Sequence, residues 1–433
     1  METNQVVELP TQAEVDQFVQ KNLPWNFGVN LVDISFITMG LSLISRETVM
    51  PVLVSNLTGS KLAVGMIPAI FSLGFYLPQL FSANFSERMR YKKPFVMFWG
   101  GLGERVPYGL MAVAIWLFAL SNPVLAAASI MLLLGVTAFS AGFATPAWYD
   151  IIGKVLPENR RGVWSGVSHG LGAFISILGA YIIGIILEAY AYPNNFAILF
   201  ALAFIATAIS WVGLASNREP PSIVIKEEIP LRRYLRQLPT VLRDNHNYRR
   251  FLISRTMIYL GAMASSFFIV YGTERFSSDA TSIAALTATM TAVMVASKAV
   301  TNVVWGLMGD RMGHKLVLTV SAFGMALAAL VAWMAASTLW LGLTFVLLGA
   351  YMAADEVSSL NIILEFCAPE DRPTYIGLTN TLMAPALTLS PLIGGILATQ
   401  LGYTGMFVVA LVLGLVGAVM LAVWVKEPRG LST

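Results

Sequence analysis

The stretch GLMGDRMGHK, residues 306–315, is a short charged segment between two long apolar runs. A weaker copy, ANFSERMRYK at residues 83–92, lies between two other apolar runs. The charged positions of the two copies correspond in pairs: Glu87 with Asp310, Arg88 with Arg311, and Lys92 with Lys315. A charged segment that recurs at a matching place in an apolar chain predicts two related halves.

The composition indicates a membrane protein. The chain of 433 residues is 57% hydrophobic and 12% charged, and its mean hydropathy is +0.71. A soluble protein of this composition would expose large apolar patches to water. The apolar residues also occur in runs of about 20, the length that a helix needs to cross a hydrocarbon core of ~30 Å. The alternating segments of a transmembrane barrel are not visible.

We therefore predict an all-α membrane protein with twelve transmembrane helices. A polar stretch at 217–250 separates the first six spans from the last six, which predicts a six-helix bundle at 1–216, a cytoplasmic linker and a second six-helix bundle at 251–433. The predicted spans are residues 27–54, 62–82, 94–119, 123–148, 164–189, 195–216, 251–273, 281–305, 316–336, 339–365, 374–399 and 404–425.

The distribution of positive charge predicts the orientation of the chain. If both termini are cytoplasmic, the loops on that side carry 21 of the 27 Lys and Arg residues, and the opposite loops carry only Lys61 and Arg275. This asymmetry follows the positive-inside rule. We expect a multi-pass protein of the inner or plasma membrane, whose basic loops face anionic lipid head groups and not nucleic acid.

Two further patterns support this organisation. The sequences PENRRG (157–162) and PEDRPT (369–374) share Pro, Glu and Arg, and each follows the predicted fourth span of its half. Within the linker, an apolar stripe with helical spacing predicts an amphipathic helix on the membrane surface. The stripe consists of Leu231, Tyr234, Leu235 and Leu238.

In these features the chain resembles the major facilitator superfamily of the bacterial twelve-helix type. The segment 306–315 is similar to the family's motif between the second and third helices of a half. MAPALTLSPLIGG, residues 383–395, is similar to its Pro- and Gly-rich eleventh helix. The resemblance implies two pseudo-symmetric six-helix bundles with a substrate site between them at mid-depth, and secondary transport by alternating access.

The resemblance also implies that the two charged segments are gate loops. In the family, the acidic residue of the first segment faces the positive end of the eleventh helix and helps to close the cytoplasmic gate, and Glu87 matches it here. By symmetry, Asp310 is expected to face the start of the fifth helix. Gly306 and Gly313 are expected to allow close helix approach and a tight turn. The predicted gate residues are Glu87, Arg88, Gly306, Asp310, Arg311, Gly313 and Lys315.

Charges inside the first half mark a candidate substrate or proton pathway, because each costs a few kcal/mol in the membrane. If the first span is one continuous helix, Asp33 and Glu47 lie on the same face of it, about 21 Å from each other along the axis. The adjacent Arg46 and Glu47 are either part of the pathway or an end-of-helix pair whose side chains reach the outer membrane interface. Adjacent Glu104 and Arg105 point about 100° apart. We therefore expect partners on other helices, either Glu104 with Arg46 or Arg105 with Glu47. A buried structural pair is the alternative.

The second half carries Lys298 in the eighth span and Asp355 and Glu356 in the tenth. If Lys298 faces either carboxylate, the pair is suited to exchange protons, because burial and a nearby cation shift the proton affinity of a carboxylate in opposite directions. A static salt bridge between helices is the alternative. Arg255, near an inner helix end, is expected to bond with the charged loops.

Enzymatic motifs are not visible. The sequence contains no GxxxxGK[ST] phosphate loop, no HExxH motif and no nucleophile elbow, and Cys367 is the only cysteine. We therefore predict no catalytic residues, no metal site and no cofactor. The leading hypothesis is a monomeric secondary transporter, coupled to protons, that acts on a small molecule within the lipid bilayer.

The substrate is predicted from a weaker signal. The spans are rich in aromatic residues and Met, which adapt to apolar or amphiphilic ligands, and this favours export of such a compound. Import of a small polar metabolite is the alternative, which several polar groups and an unpaired cation in the cavity would favour. A third hypothesis is a membrane assembly factor or sensor that has a carrier fold but does not transport.

Overall fold

The computed structural model describes residues 11–86, 89–222, 242–367 and 372–429. All regular structure within these ranges is helical, as the sequence predicts, and ten helical segments there are long and apolar enough to cross a membrane. The predicted gate residues Glu87 and Arg88 lie outside the described residues, as does the predicted amphipathic stripe of the linker.

The helices vary in length from one turn to nine. Two π-helical segments, Met97–Gly103 and Met420–Trp424, and a 3-10 turn, Ala262–Ala264, adjoin them. In chain order the α-helices are α1 (Gln12–Leu43), α2 (Val49–Thr58), α3 (Lys61–Ser86), α4 (Lys93–Val96), α5 (Glu104–Phe118), α6 (Pro123–Val155), α7 (Glu158–Ala189), α8 (Asn194–Ala215), α9 (His246–Gly261), α10 (Phe267–Phe276), α11 (Ala280–Met312), α12 (His314–Met334), α13 (Thr338–Glu365), α14 (Arg372–Gln400) and α15 (Gly402–Val419).

The helix ends lie at two faces of the protein. Trp25 in α1 donates a hydrogen bond from its indole Nε1 to the carbonyl oxygen of Ser216, at 2.8 Å, so the first half of α1 and the end of α8 lie at the same face. We call it the terminal face; it also holds the start of α9. The connections between α2 and α3 and between α14 and α15 lie at the opposite face.

The predicted first span is not one helix. It is divided into α1, which ends at Leu43, and α2, which begins at Val49, so Arg46 and Glu47 lie in the break. Pro51 lies in the first turn of α2, where its missing N–H leaves no helical hydrogen bond unmade, but proline alone does not explain the break, because α1 continues through Pro24 and α3 through Pro68 and Pro78. The expectation that Asp33 and Glu47 share one helical face is therefore wrong.

The charged segment 306–315 is also not a loop. Helix α11 continues to Met312, past the predicted end of its span at residue 305, and a single residue, Gly313, separates it from α12. Polar side chains indicate where a membrane span ends. They do not end a helix that contains no Pro or capping residue.

The long helices pack in a regular set of pairs. Helix α1 packs on α7 and α8, α3 on α6, and α5 on α6 and α8. In the later part of the chain, α9 packs on α14 and α15, α11 on α13, and α12 on α13 and α15. Two further contacts join the two groups, α3 with α14 and α7 with α11.

Contacts between α1–α8 and α9–α15 extend from the opposite face towards the middle of the protein. The Oγ1 atoms of Thr48 and Thr291 form a buried hydrogen bond of 2.7 Å. Lys61 donates a hydrogen bond from Nζ to the carbonyl oxygen of Ala398 at 3.3 Å, and the same Nζ lies 3.9 Å from the ring centroid of Tyr403. The opposite face is therefore closed by contacts between the two groups of helices.

The closest approach at this face generates a testable prediction. A Cβ atom at Gly65 would stand 2.3 Å from the carbonyl oxygen of Pro391, a backbone atom that cannot rotate away. We expect Gly65→Ala to lower the thermal unfolding midpoint of the purified protein, because overpacking costs about 1–3 kcal/mol.

Gly342→Ala is the matched control, since a Cβ at Gly342 meets nothing within 4 Å among the described residues. Alanine is also the better helix former, so the midpoint of this variant should equal or exceed that of the wild type. Equal midpoints for Gly65→Ala and Gly342→Ala would contradict the close packing of α3 on α14.

Candidate functional site

A buried ion-pair cluster connects four helices of α1–α8. Asp33 in α1 accepts hydrogen bonds from Arg105 Nη2 at 3.2 Å and Ser210 Oγ at 2.5 Å through Oδ1, and from Trp148 Nε1 at 3.2 Å through Oδ2. Arg105 Nη1 also lies 3.2 Å from Glu104 Oε2. Asp33 and Arg105 are only 2% and 3% exposed, so each charge depends on the other for stabilisation.

The π-helical segment before α5 positions Arg105. The carbonyl oxygen of Gly100 in this segment accepts a hydrogen bond from Arg105 Nη1, and the carbonyl oxygen of Thr207 in α8 accepts one from Nε at 3.1 Å. A Cβ atom at Gly101 would stand 2.0 Å from Trp211 Nε1, so only glycine lets the segment approach α8 this closely. All three guanidinium nitrogens of Arg105 therefore donate hydrogen bonds.

The expected partners of Glu104 and Arg105 are wrong. Arg105 pairs with Asp33 and with its own sequence neighbour Glu104, and within the described part of the chain neither residue has an ion pair with Arg46 or Glu47. The reason is the break after α1, which removes Arg46 and Glu47 from the helix that carries Asp33. The geometry is that of the alternative, a buried ion pair between helices.

A second ion pair connects α9 with α13. Asp355 Oδ1 accepts hydrogen bonds from Arg255 Nη2, from Ser359 Oγ at 2.8 Å and from Tyr259 Oη at 3.3 Å. Arg255 lies nine residues after the start of α9, about 14 Å along its axis. The expectation that Arg255 bonds with the charged loops is therefore wrong. Tyr259, one turn further along the same face, was the signal that could have placed Arg255 in the interior.

The third ion pair is partly open to solvent. Lys298 Nζ in α11 lies 2.7 Å from Glu356 Oε2 in α13, and the two side chains are 35% and 42% exposed. Tyr149 in α6 lies close enough to Glu356 to interact with its charge. Because α6 and α13 belong to different groups of helices, the pair faces the space between these groups. Of the two carboxylates considered for Lys298, Glu356 is its partner and Asp355 is not.

Arg46 lies at mid-depth without an ion pair. Its guanidinium carbon stands 3.5 Å from the ring centroid of Phe71, and its charge also reaches Tyr76 and Tyr108. Phe71 is ten residues into α3, about 15 Å from the opposite face, and Arg46 contacts it. The alternative in which Arg46 forms an end-of-helix pair at the outer interface is therefore wrong. Within the described residues no carboxylate, including that of Glu47, lies within 4 Å of Arg46.

An aromatic stack on α3 connects Arg46 with the second group of helices. The rings of Phe71 and Phe75 stack with centroids 5.5 Å apart and an interplanar angle of 12°, and Tyr76 packs edge-on against Phe75 at 5.4 Å. Tyr76 interacts with the charges of both Arg46 and Asp355. The site therefore combines charged groups from both groups of helices around an aromatic surface.

Of the two gate glycines, one has the expected role. Gly313, between α11 and α12, has a φ of +93°, and a Cβ there would stand 2.8 Å from Glu427 Oε1. Burial raises the pKa of the Glu427 carboxyl, and Lys315 nearby lowers it by a smaller amount. Gly306 lies inside α11 with nothing within 4 Å of a Cβ position among the described residues, so the close helix approach expected there is absent from this structure.

Two of the charged gate residues, Asp310 in α11 and Lys315 in α12, contact the stretch after α15. The carbonyl oxygen of Asp310 accepts a hydrogen bond from Arg429 Nη1 at 2.7 Å. Lys315 donates from Nζ to the carbonyl oxygen of Ala422 at 2.9 Å, and Arg311 is exposed. A contact of Asp310 and Arg311 with the start of the fifth helix stays a prediction.

The burial of the Asp33–Arg105 pair generates a second prediction. We expect Arg105→Met to destabilise the folded protein by about 3–5 kcal/mol, because it leaves Asp33 buried without its cation. Lys298→Met is the control, since it breaks a half-exposed pair and should cost about 1 kcal/mol or less. Thermal unfolding of both purified variants measures the difference; equal destabilisation would show that Asp33 does not depend on Arg105.

Known proteins resemble this chain in sequence and in fold. The family model described as Major Facilitator Superfamily matches residues 35–278 and 251–433. Multidrug resistance protein MdtG of Serratia proteamaculans (strain 568) is 32% identical over 134 residues, which is 30% of this chain and 31% of that protein. The match thus spans about a third of the length of this curated relative.

Solved transporters share the fold at low sequence identity. The nucleoside transporter NupG superimposes with a TM-score of 0.66 at 14% identity, over 92% of this chain and 98% of that one. The D-xylose-proton symporter gives a TM-score of 0.63 at 14% identity, over 98% and 100%. Together with the family model, which matches well over half of the residues, these similarities confirm the resemblance seen in the sequence: the chain is a multi-pass membrane protein that belongs to the Major Facilitator Superfamily.

Proposed function

We propose that this protein is a proton-coupled secondary transporter that works by alternating access and exports a hydrophobic or amphiphilic small molecule. The observation that carries the proposal is the composition of the mid-depth site. Arg46 and Tyr76 come from α1–α8, Asp355 comes from α9–α15, and contacts between the two groups close one face. A site that lies between two bodies and is sealed on one side is the arrangement that alternating access requires.

The proposal includes twelve spans in two six-helix bundles, at 1–216 and 251–433, joined by the linker 217–250. Ten apolar segments together with α7 and the α4–α5 unit make up this number. The helix contacts support two bundles: if α1, α3, α5, α6, α7 and α8 are matched with α9, α11, α12, α13, α14 and α15, each of the long-helix pairs described for the fold in one set has its counterpart in the other.

The proposed orientation places the terminal face in the cytoplasm. The basic residues concentrate in the loops of that face, which is the pattern of the positive-inside rule. Since the opposite face is closed by α2, α3 and α11 with their partners, the structure then corresponds to a state that faces the cytoplasm. That is the state in which an exporter takes up its substrate.

The aromatic surface supports an amphiphilic substrate. Phe71, Phe75 and Tyr76 offer stacked and edge-on rings, which bind apolar groups without strict directional demands. The printed name of the Serratia relative, a multidrug resistance protein, is compatible with export of such compounds. Import of a small polar metabolite is the second candidate, favoured by the one cation at mid-depth that has no ion pair among the described residues, Arg46.

The half-exposed pair supports proton coupling. Asp355 accepts three hydrogen bonds, so it cannot release Arg255 without a large cost, whereas Glu356 has one cationic partner and stands partly in solvent. A carboxylate that solvent reaches and that one lysine holds is the better candidate for a group that gains and loses a proton during the cycle.

The direct test uses purified protein in liposomes with an imposed pH gradient. We expect a panel of lipophilic and amphiphilic dyes to move against their own gradient when the lumen is acidic, as reported by dye fluorescence and by an internal pH indicator. Movement of a polar metabolite across the membrane in the same direction as the protons would favour the second candidate, an importer. A protein that moves neither dye nor proton would favour the non-transporting sensor or assembly factor.

Coupling generates a third prediction. We expect Glu356→Gln to abolish the pH dependence of transport, because an amide cannot bind and release the proton that the proposed coupling requires. Asp355→Asn should instead lower the folded yield, because it leaves Arg255 buried without its anion.

Glu274→Gln is the control for Glu356→Gln. Glu274 accepts a hydrogen bond of 2.7 Å from Tyr403 Oη at the opposite face, away from the mid-depth site. Its substitution should leave the pH profile of the wild type unchanged. An unchanged pH profile in both Glu356→Gln and folded Asp355→Asn would remove the proton role from this site.

A further inference from the structure

Arg46 differs from the other arginines of the interior in its hydrogen bonds. Arg105 and Arg255 each donate to a carboxylate and to further oxygen atoms. Among the residues that the structure describes, Arg46 has neither a carboxylate within 4 Å nor any hydrogen-bond acceptor, and it contacts the ring of Phe71 instead. An arginine has five N–H donors, and leaving them unused at mid-depth is costly. Because Arg46 is partly exposed, these donors are available to a ligand.

The orientation of the guanidinium group leaves its donors accessible. A distance of 3.5 Å from the guanidinium carbon to the ring centroid of Phe71 means that the aromatic face covers one face of the group. The N–H donors of a guanidinium lie in its plane and point outward at its edge, so stacking does not use them. Carboxylate, sulfonate and phosphate groups match this edge with two parallel hydrogen bonds.

The break in the first span adds positive potential at the same place. Helix α2 begins at Val49, three residues after Arg46, and its N-terminus carries the positive end of the helix dipole. The N–H groups at this end are nevertheless largely used, because Met50 N–H donates to the carbonyl oxygen of Ser45 at 2.9 Å and Pro51 has no N–H. The hydrogen-bond donors for an anionic group are therefore those of Arg46.

The surface next to Arg46 is apolar and aromatic. Phe75 stacks one helical turn beyond Phe71, and both rings are only partly buried. A ligand whose anionic group reaches the edge of Arg46 can lay an apolar body along these two rings. A small, fully polar anion would use Arg46 but not the rings, and a neutral hydrocarbon would use the rings but not Arg46.

We infer that the substrate of the proposed transporter is an amphiphilic organic anion, whose acidic group binds Arg46 and whose apolar body packs on Phe71 and Phe75. This inference rests on the proposed function, because it names the class of compound that the same site carries. A cationic amphiphile would place its charge beside Arg46, with Glu47 as the nearest acid in sequence to offset the repulsion.

The test uses three probes that share one apolar body and differ in charge: 2-naphthalenesulfonate, 2-naphthylmethanol and (2-naphthylmethyl)trimethylammonium. Binding to the purified full-length protein in neutral detergent is measured by isothermal titration calorimetry. We expect the sulfonate to bind most tightly. Arg46→Gln should weaken its binding about 10- to 100-fold, the value of hydrogen bonds to a charged partner, and Arg46→Lys should restore part of the loss.

Arg275→Gln is the matched control, since Arg275 also lies against aromatic rings, those of Tyr271 and Phe276, but near the opposite face. It should bind the sulfonate as the wild type does. Thermal unfolding of each variant without ligand separates loss of binding from loss of folding. Phe71→Leu should weaken all three probes, because it removes the shared aromatic contact.

The outcomes separate this inference from the proposed function. Tighter binding of the ammonium probe, together with its loss in Glu47→Gln, would overturn the anion assignment, as would equal binding of all three probes or of none. Transport of the ammonium or the alcohol into liposomes would then leave the transporter proposal standing. Conversely, Arg46-dependent binding of the sulfonate without any flux would support the anion site and contradict transport.

Discussion

The cost of an isolated charge at mid-depth is the constraint on which this structure depends. Arg105 and Arg255 are each 3% exposed, and each is held by a carboxylate from another helix, Asp33 or Asp355. An arginine cannot lose its proton to avoid the cost, so its partner has to be fixed in place. The two pairs therefore connect α1 with α5 and α9 with α13.

The sequence predicts the charges but not their partners. Apolar runs, the polar stretch at 217–250 and the repeated segment were enough to predict a helical membrane protein with related halves, because each is a local pattern. The partner of Arg105 depends on the rotation of α5, which the π-helical segment Met97–Gly103 changes, and on the break after Leu43. Neither irregularity has the regular period on which sequence patterns depend, and Pro51 alone does not mark the break, because α1 continues through Pro24.

The segment 306–315 shows the same limit in another form. Its polarity predicts where the membrane span ends, but α11 continues through it to Met312, because Gly306 and Gly309 weaken the helix without ending it. Gly313 ends the helix by adopting a φ of +93°. The first copy of the segment includes residues outside the described ranges, so a comparison of the two gates rests on sequence alone.

The position of Arg46 connects binding with the closed face. One residue separates it from Thr48, whose hydroxyl contacts Thr291 of α11 across the boundary between the two groups of helices. A group that binds Arg46 therefore acts on the same short break that carries one of the closing contacts. A residue in a broken helix can shift with a smaller energetic cost than one in a continuous helix, because fewer backbone hydrogen bonds must change. For this reason the break, and not the buried Asp33–Arg105 pair, is the suitable place for a ligand to alter the balance between two conformations.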